Sequence, residues 1–185
     1  MEYKKVYKSN LDNLIMTSDG EYLTGLWFEK SNDETKHKGN YGDKDLPIFE
    51  EVIKWLDIYF SGIEPSFTPK YKINNITPFR QSVINLLLKI PYGKVETYGS
   101  IGEQIAKEKG IKKMSNRAVG RAVGWNPICI IIPCHRVVGR NNNLVGYGGG
   151  INKKQGLLKL EHIDISKFYI PKKGNKLWID VSGVI

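Results

Sequence analysis

Ser115-Asn116-Arg117-Ala118-Val119-Gly120-Arg121-Ala122-Val123-Gly124 is the stretch that decides how the back half of the chain folds. Ser115 is a good N-cap, so the spacing predicts a helix from Asn116 to about Gly124. The composition is odd for a helix. Its glycines and alanines give up helix stability or side-chain contact area. That makes sense where another backbone comes close. With Arg117 and Arg121 on it, the helix reads as one that lies against DNA, and tight helix–helix packing accounts for it equally well.

Further helices lie upstream. Thr97 caps one that turns Tyr98, Ile101 and Ile105 inward and ends at Gly110. Before it, Thr77-Pro78 opens another, with Phe79, Val83, Leu86, Leu87 and Ile90 at helical spacing and Pro91-Tyr92-Gly93 as its stop. Downstream, Asn126-Pro127 breaks the pattern. Ile128-Cys129-Ile130-Ile131-Ile132-Pro133 then reads as a short buried strand or extended segment. A last helix starts near Asn152 and carries Leu157, Leu158 and Leu160.

The front third differs. Leu14-Ile15-Met16 and Tyr22 to Phe28 flank Ser18-Asp19-Gly20, which predicts two strands joined by a tight turn. Glu29 to Asp45 reads as a loop. Pro47 then opens a helix with Ile48, Phe49, Val52, Ile53, Leu56, Tyr59 and Phe60 on one face. Residues 61–75 form a connection, with a short strand expected near Tyr71. The fold class is α+β: a small N-terminal α+β unit with its linker at 1–75, then a mainly helical unit at 76–185.

Composition sets the frame. The chain has 185 residues, 41% hydrophobic and 25% charged, the balance of a globular protein rather than a disordered one. No run approaches the roughly 18 apolar residues of a membrane span, and Met1-Glu2-Tyr3-Lys4-Lys5 is unlike a signal peptide. The expectation is a cytoplasmic protein with no membrane partner. Cys129 and Cys134 are too few for a disulfide framework or a cysteine-based zinc site. Charge is split: residues 1–75 hold 10 Lys/Arg against 13 Asp/Glu, residues 76–185 hold 18 against 6. A net +12 back half suits a polyanion such as nucleic acid, where neutralised phosphates release counterions. General solubility is the plainer reading of the same split.

Ile132-Pro133-Cys134-His135-Arg136-Val137 carries the chemistry. A thiolate is a nucleophile, and a base or positive charge beside a cysteine favours it. A lone buried Cys is otherwise a small hydrophobe, the reading given to Cys129. His135 is a candidate base, with Glu161 as a carboxylate able to orient it or as a solvated helix residue. Gly146-Tyr147-Gly148-Gly149-Gly150 lacks the lysine and spacing of a phosphate loop. It either offers backbone N–H groups to a planar ligand or is merely flexible.

Taken together the chain resembles the O6-alkylguanine-DNA alkyltransferases, also called methylated-DNA–protein-cysteine methyltransferases. The resemblance rests on Pro133-Cys134-His135-Arg136-Val137, Arg117-Ala118-Val119-Gly120, Asn126-Pro127, Gly146-Tyr147-Gly148-Gly149 and Leu157-Leu158-Lys159-Leu160-Glu161, in matching order and spacing over residues 76 to 163. It implies a winged-helix-like helix-turn-helix that docks in the minor groove, with Ser115 to Gly124 as the recognition helix. Ser115, Asn116, Ala118 and Arg121 would touch DNA, and Arg117 would replace the extruded base. Tyr98, Val137, Tyr147, Gly148 and Gly149 would hold the flipped guanine. Tyr98 would also supply a proton to it, the Val137 carbonyl would accept from its amino group, and the Gly148 N–H would lie near O6. Cys134 would take the alkyl group once and irreversibly, with His135 as base, Glu161 orienting it and Asn126 holding the turn. The implied partner is double-stranded DNA containing O6-alkylguanine, with O4-alkylthymine a second candidate, met by a monomer without a cofactor. The N-terminal Cys/His zinc ligands of some members are absent, so no metal is expected.

Three rivals are weaker. A binding-only relative would lack Cys134. A Cys-His hydrolase would need an oxyanion hole. A plain helix-turn-helix binder would have no use for Cys134, His135 and Glu161. The segment from Ala106 to Met114 is longer than the family's usual turn.

Overall fold

Residues 1–170 are described by the computed structural model; the end of the basic tail, and with it the last part of the unit expected at 76–185, lies outside the described residues. Strand β1 (Glu2–Lys8) pairs antiparallel with β2 (Asn13–Ser18), which pairs antiparallel with β3 (Leu23–Phe28). A two-residue strand β4 (Tyr41–Gly42) runs parallel to β1, giving the order β3-β2-β1-β4. Asp19 fixes the tight turn between β2 and β3 by accepting from the Glu21 and Tyr22 amides at 3.1 and 2.9 Å. The sequence reading placed β2 and β3 and missed β1. That strand exposes Lys4, Val6 and Lys8, and its inward face carries only Tyr3 and Tyr7 as apolar groups, both partly buried, with Lys5 between them, so its pattern is weak.

All six residues of β3 are buried. Helix α1 (Pro47–Phe60) lays Ile48, Phe49, Val52, Trp55, Leu56 and Tyr59 into the core. Each such side chain contributes roughly 2 kcal/mol of burial. The strand expected near Tyr71 is a single bridge to Leu23. The region read as a loop after β3 holds a one-turn 3-10 helix, Asn32–Lys36.

The back half is helical as expected: α2 (Pro78–Leu87), α3 (Tyr98–Glu108), α4 (Asn116–Gly124) and α5 (Ile151–Leu160). Thr77, Thr97 and Ser115 each cap their helix through the side-chain oxygen. Short parallel strands β5 (Glu96–Thr97) and β6 (Val137–Val138) pair Glu96 with Val137 and Thr97 with Val138. This ladder ties the start of α3 to the residues just after Cys134. One buried apolar cluster runs from β2 and β3 through α1 into α2, α3 and α4. No helix among the described residues is long and apolar enough to cross a membrane.

The apolar run after Asn126 is not a strand. Ile128 makes one bridge to Leu26, and the chain then folds back on itself. The Ile131 amide donates to the Cys129 carbonyl at 2.8 Å, closing a three-residue turn around Ile130, whose φ is +68°. A second such turn, Cys134 N–H to Ile132 carbonyl at 2.8 Å, wraps Pro133. The run is apolar because it is buried, and its polar groups pair partly with β3, through the Cys129 amide and the Leu26 carbonyl at 2.8 Å, and partly within the turns. A β-branched residue at positive φ costs about 1–3 kcal/mol, and it persists where surrounding packing imposes it. Ile130 is fully enclosed.

Candidate active site

Cys134 opens a 3-10 turn, Cys134–Arg136, directly after the folded-back run. Asn126 builds the turn. Its Nδ2 donates to the Ile132 carbonyl at 2.8 Å and to Cys134 Sγ at 3.1 Å, and its Oδ1 accepts from the Ile128 amide at 3.0 Å. Burial pushes the Cys134 thiol pKa up, and the Asn126 hydrogen bond opposes that. The thiol is therefore protonated at rest and needs a base.

His135 is wholly buried. Its Nε2 lies 2.7 Å from Glu161 Oε1. Burial holds the imidazole pKa below its usual value, against the opposing pull of Glu161. An ionised carboxylate only accepts, so Nε2 carries the hydrogen and Nδ1 is the free lone pair. Nδ1 is buried without a hydrogen-bond partner among the described residues.

Glu161 caps the C-terminus of α5 and is buried. It accepts from Tyr59 Oη at 2.7 Å, from Arg136 Nε at 2.8 Å and Nη2 at 3.0 Å, and from the Gly93 amide at 3.1 Å. Burial works against its charge, but the His135 and Arg136 contacts win and hold its pKa at about 2. Arg136 is committed to Glu161 and to the Ile90 carbonyl at 2.7 Å, so its charge does not serve the thiol directly.

Tyr98 is the first residue of α3, and the β5–β6 ladder sets it beside this centre. Its hydroxyl donates to the Gly146 carbonyl at 3.0 Å. Burial, with negative charge on Cys134, raises its pKa and keeps the phenol protonated. Tyr147 and Gly149 are buried and Gly148 is half-buried. A Cβ on Gly148 would overlap the Asp33 carboxylate, and one on Gly149 would lie 2.9 Å from the Phe28 ring. The glycine-rich loop is thus backed by the N-terminal part of the chain rather than hanging free.

Four residues that sequence reasoning did not place in the site belong to it by contact. Tyr59 comes from α1 and joins Glu161 and, at 3.3 Å, His135. Arg136 clamps Glu161. Lys154 on α5 is fully buried and donates to the Val137 carbonyl at 2.6 Å and the Val145 carbonyl at 2.8 Å. Burial pulls its pKa down to about 7, with negative charge on Cys134 pulling the other way. Lys36 forms an ion pair with Asp33 and donates to the Asn126 carbonyl at 3.2 Å.

Helix α4 has two different sides: one packs in the core, and the other faces outward. Val119, Ala122 and Val123 are buried in the core, while Ser115, Asn116, Arg117 and Arg121 are exposed and Ala118 is half-exposed. Among the described residues no group of three or more His, Cys, Asp or Glu side chains could hold a metal ion.

Comparisons with known proteins agree with this architecture. Residues 78–163 match the family model for the 6-O-methylguanine DNA methyltransferase DNA binding domain, and residues 3–70 match that for its ribonuclease-like domain. The methylated-DNA–protein-cysteine methyltransferase of Haemophilus influenzae is 39% identical over 161 residues, 87% of each chain. That of Methanosarcina acetivorans is 37% identical over 86% of this chain and 97% of its own. A crystal structure of Mycobacterium tuberculosis OGT in complex with DNA superimposes with a TM-score of 0.71, at 36% identity, over 90% of this chain and 94% of that one. The chain belongs to the methylated-DNA–protein-cysteine methyltransferase family.

Proposed function

We propose that this chain repairs DNA by direct reversal, taking the alkyl group of O6-alkylguanine in double-stranded DNA onto Cys134. The observation that carries the reading is the buried centre itself. A thiol held by Asn126 stands next to a neutral imidazole whose Nε2–H is tied to an ionised carboxylate. His135 Nδ1 takes the thiol proton through a water, and Sγ attacks the alkyl carbon in line. The S–C bond forms as the C–O6 bond breaks, and its electron pair leaves on guanine. Tyr98, kept protonated, gives guanine a proton. Lys154 steadies the developing thiolate, because a buried cation lowers the cost of a nearby negative charge. The product thioether has no proton to exchange and nothing in the site removes the alkyl group, so each molecule reacts once.

A paired base hides its O6 group. Reaction requires flipping, which costs a few kcal/mol. The exposed Asn116, Arg117 and Arg121 on α4, with Ser115 and Ala118, form the surface that meets the minor groove, and Arg117 fills the space the base leaves. Ser115 also keeps its cap. Tyr147, Gly148 and Gly149 line the guanine pocket, with the Gly148 N–H near O6. The Val137 carbonyl, which already takes one hydrogen bond from Lys154, has a second lone pair for the guanine amino group. Residues 1–75 support this unit, residues 76–185 hold DNA and chemistry, and the protein works as a monomer in the cytoplasm.

Intact-protein mass spectrometry after incubation with duplex DNA containing O6-methylguanine tests the reading. The expected result is one added methyl on Cys134, saturating at one equivalent, and none in Cys134→Ser. Repeated turnover, or a label on another residue, overturns it.

A further inference from the structure

Seven residues, 109–115, separate α3 from α4, where a helix-turn-helix commonly uses three or four. Helix α3 stops cleanly. Gly110 has φ +63°, its amide donates to the Lys107 carbonyl at 3.2 Å, and the Ile111 amide donates to the Ala106 carbonyl at 3.0 Å. The extra residues therefore begin a defined segment. Met114 returns to the core at its end.

Lys107, Lys112 and Lys113 are all exposed, and none has an ion-pair partner among the described residues. They line a groove of about 570 Å³ together with residues of α3 and with Asn116 of α4. Glu103 is the one acidic side chain in that lining. Asn116 belongs to both the groove and the exposed face of α4, so the groove continues the surface that carries Arg117 and Arg121.

We infer that this groove is an additional DNA-contacting surface, on which Lys107, Lys112 and Lys113 hold the sugar–phosphate backbone of duplex DNA beside the stretch met by α4. The inference rests on the proposed reaction for its partner, and charge and continuity place that partner here. Three free ammonium groups facing one carboxylate favour a polyanion. Lysine suits phosphate as a point charge that needs no bidentate geometry. The contact carries no sequence information, since phosphates position a protein without specifying bases.

Counterion release gives the test. Each phosphate neutralised on duplex DNA adds about 0.9 to the slope of log affinity against log salt. Fluorescence anisotropy with undamaged duplex DNA from 50 to 200 mM salt compares the wild type, the triple variant Lys107→Ala, Lys112→Ala, Lys113→Ala, and a charge-matched control, Lys8→Ala, Lys54→Ala, Lys70→Ala. The turn variant is expected to lose about 2 to 3 from the slope, and the control to keep the wild-type slope. A turn variant with the wild-type slope overturns the inference. So does a control that falls equally, because net charge would then be the whole effect. Methyl transfer to Cys134 is read in parallel on the wild type by mass. Its absence sinks the proposed reaction and leaves the slope to judge the groove by itself.

Discussion

Glu161 gathers five donors: the Tyr59 hydroxyl, His135 Nε2, two Arg136 nitrogens and the Gly93 amide. Burial alone would drive its pKa upward, yet it is held at about 2 against an ordinary 4.5. A folded value below the unfolded one means that the ionised carboxylate stabilises the fold fully above about pH 4.5. That stabilisation fades as pH falls towards 2, and it amounts to roughly 3 kcal/mol. Urea unfolding of the wild type and Glu161→Gln should therefore differ by about that much at pH 7. The gap should narrow steadily from pH 5 to pH 3. A gap that stays constant across that range would mean that the Glu161 carboxyl titrates alike in the folded and unfolded protein, so that its contacts do not favour the ionised form. Cys134, His135 and Glu161 could be picked out of the sequence because each is scarce there and chemically loaded. Tyr59 could not. It fits the apolar face of α1, and its partners lie 76 and 102 residues away, a separation that no local pattern reports.

Helices show the same boundary between what pattern reveals and what it hides. In α5 the buried positions are Lys154, Leu157 and Leu158, with Glu161 at the cap, spaced i, i+3, i+4 and i+7. The leucines alone define that face, but a lysine on it was passed over, because an ammonium normally stays in water. Lys154 is tolerated there by two carbonyl acceptors that only the folded loop supplies. The run at Ile128–Pro133 misled in the opposite way, since burial was plain and the turns that achieve it were not. Helix α4 was read with two uses open, and Gly120 tests the outward one. It is buried, yet a Cβ built there meets nothing within 4 Å apart from its chain neighbours and the backbone of its own helix. Gly120→Ala should raise stability by up to about 1 kcal/mol through helix propensity, measured by urea unfolding. Its affinity for duplex DNA should fall several-fold, because the methyl occupies space a groove wall would use. A variant that is more stable and binds DNA as tightly as the wild type would place Gly120 away from the nucleic acid.

At the scale of the whole molecule, the two units marked out by charge share an apolar core and several polar contacts, among them Tyr59 with Glu161 and a latch at Asp33 and Lys36. Asp33 and Lys36 sit on the 3-10 turn after β3, their side chains 7% and 22% exposed. Asp33 packs where a side chain on Gly148 would stand, and Lys36 reaches the carbonyl of Asn126, the residue that holds Cys134. Polar loop composition gave no hint of this, because both residues look solvated until the back half is folded against them. A largely buried pair loses more when one partner goes than when both do, since the survivor is left charged without compensation. Lys36→Met alone is expected to cost about 3 kcal/mol, and Asp33→Asn alone should also destabilise the fold. The double variant should cost clearly less than the two single losses added together. Urea midpoints of the four proteins give the coupling directly. Simple additivity would reduce the latch to two unrelated surface groups. A coupling above about 1 kcal/mol would place the N-terminal unit in direct energetic contact with the turn that presents the reactive sulfur.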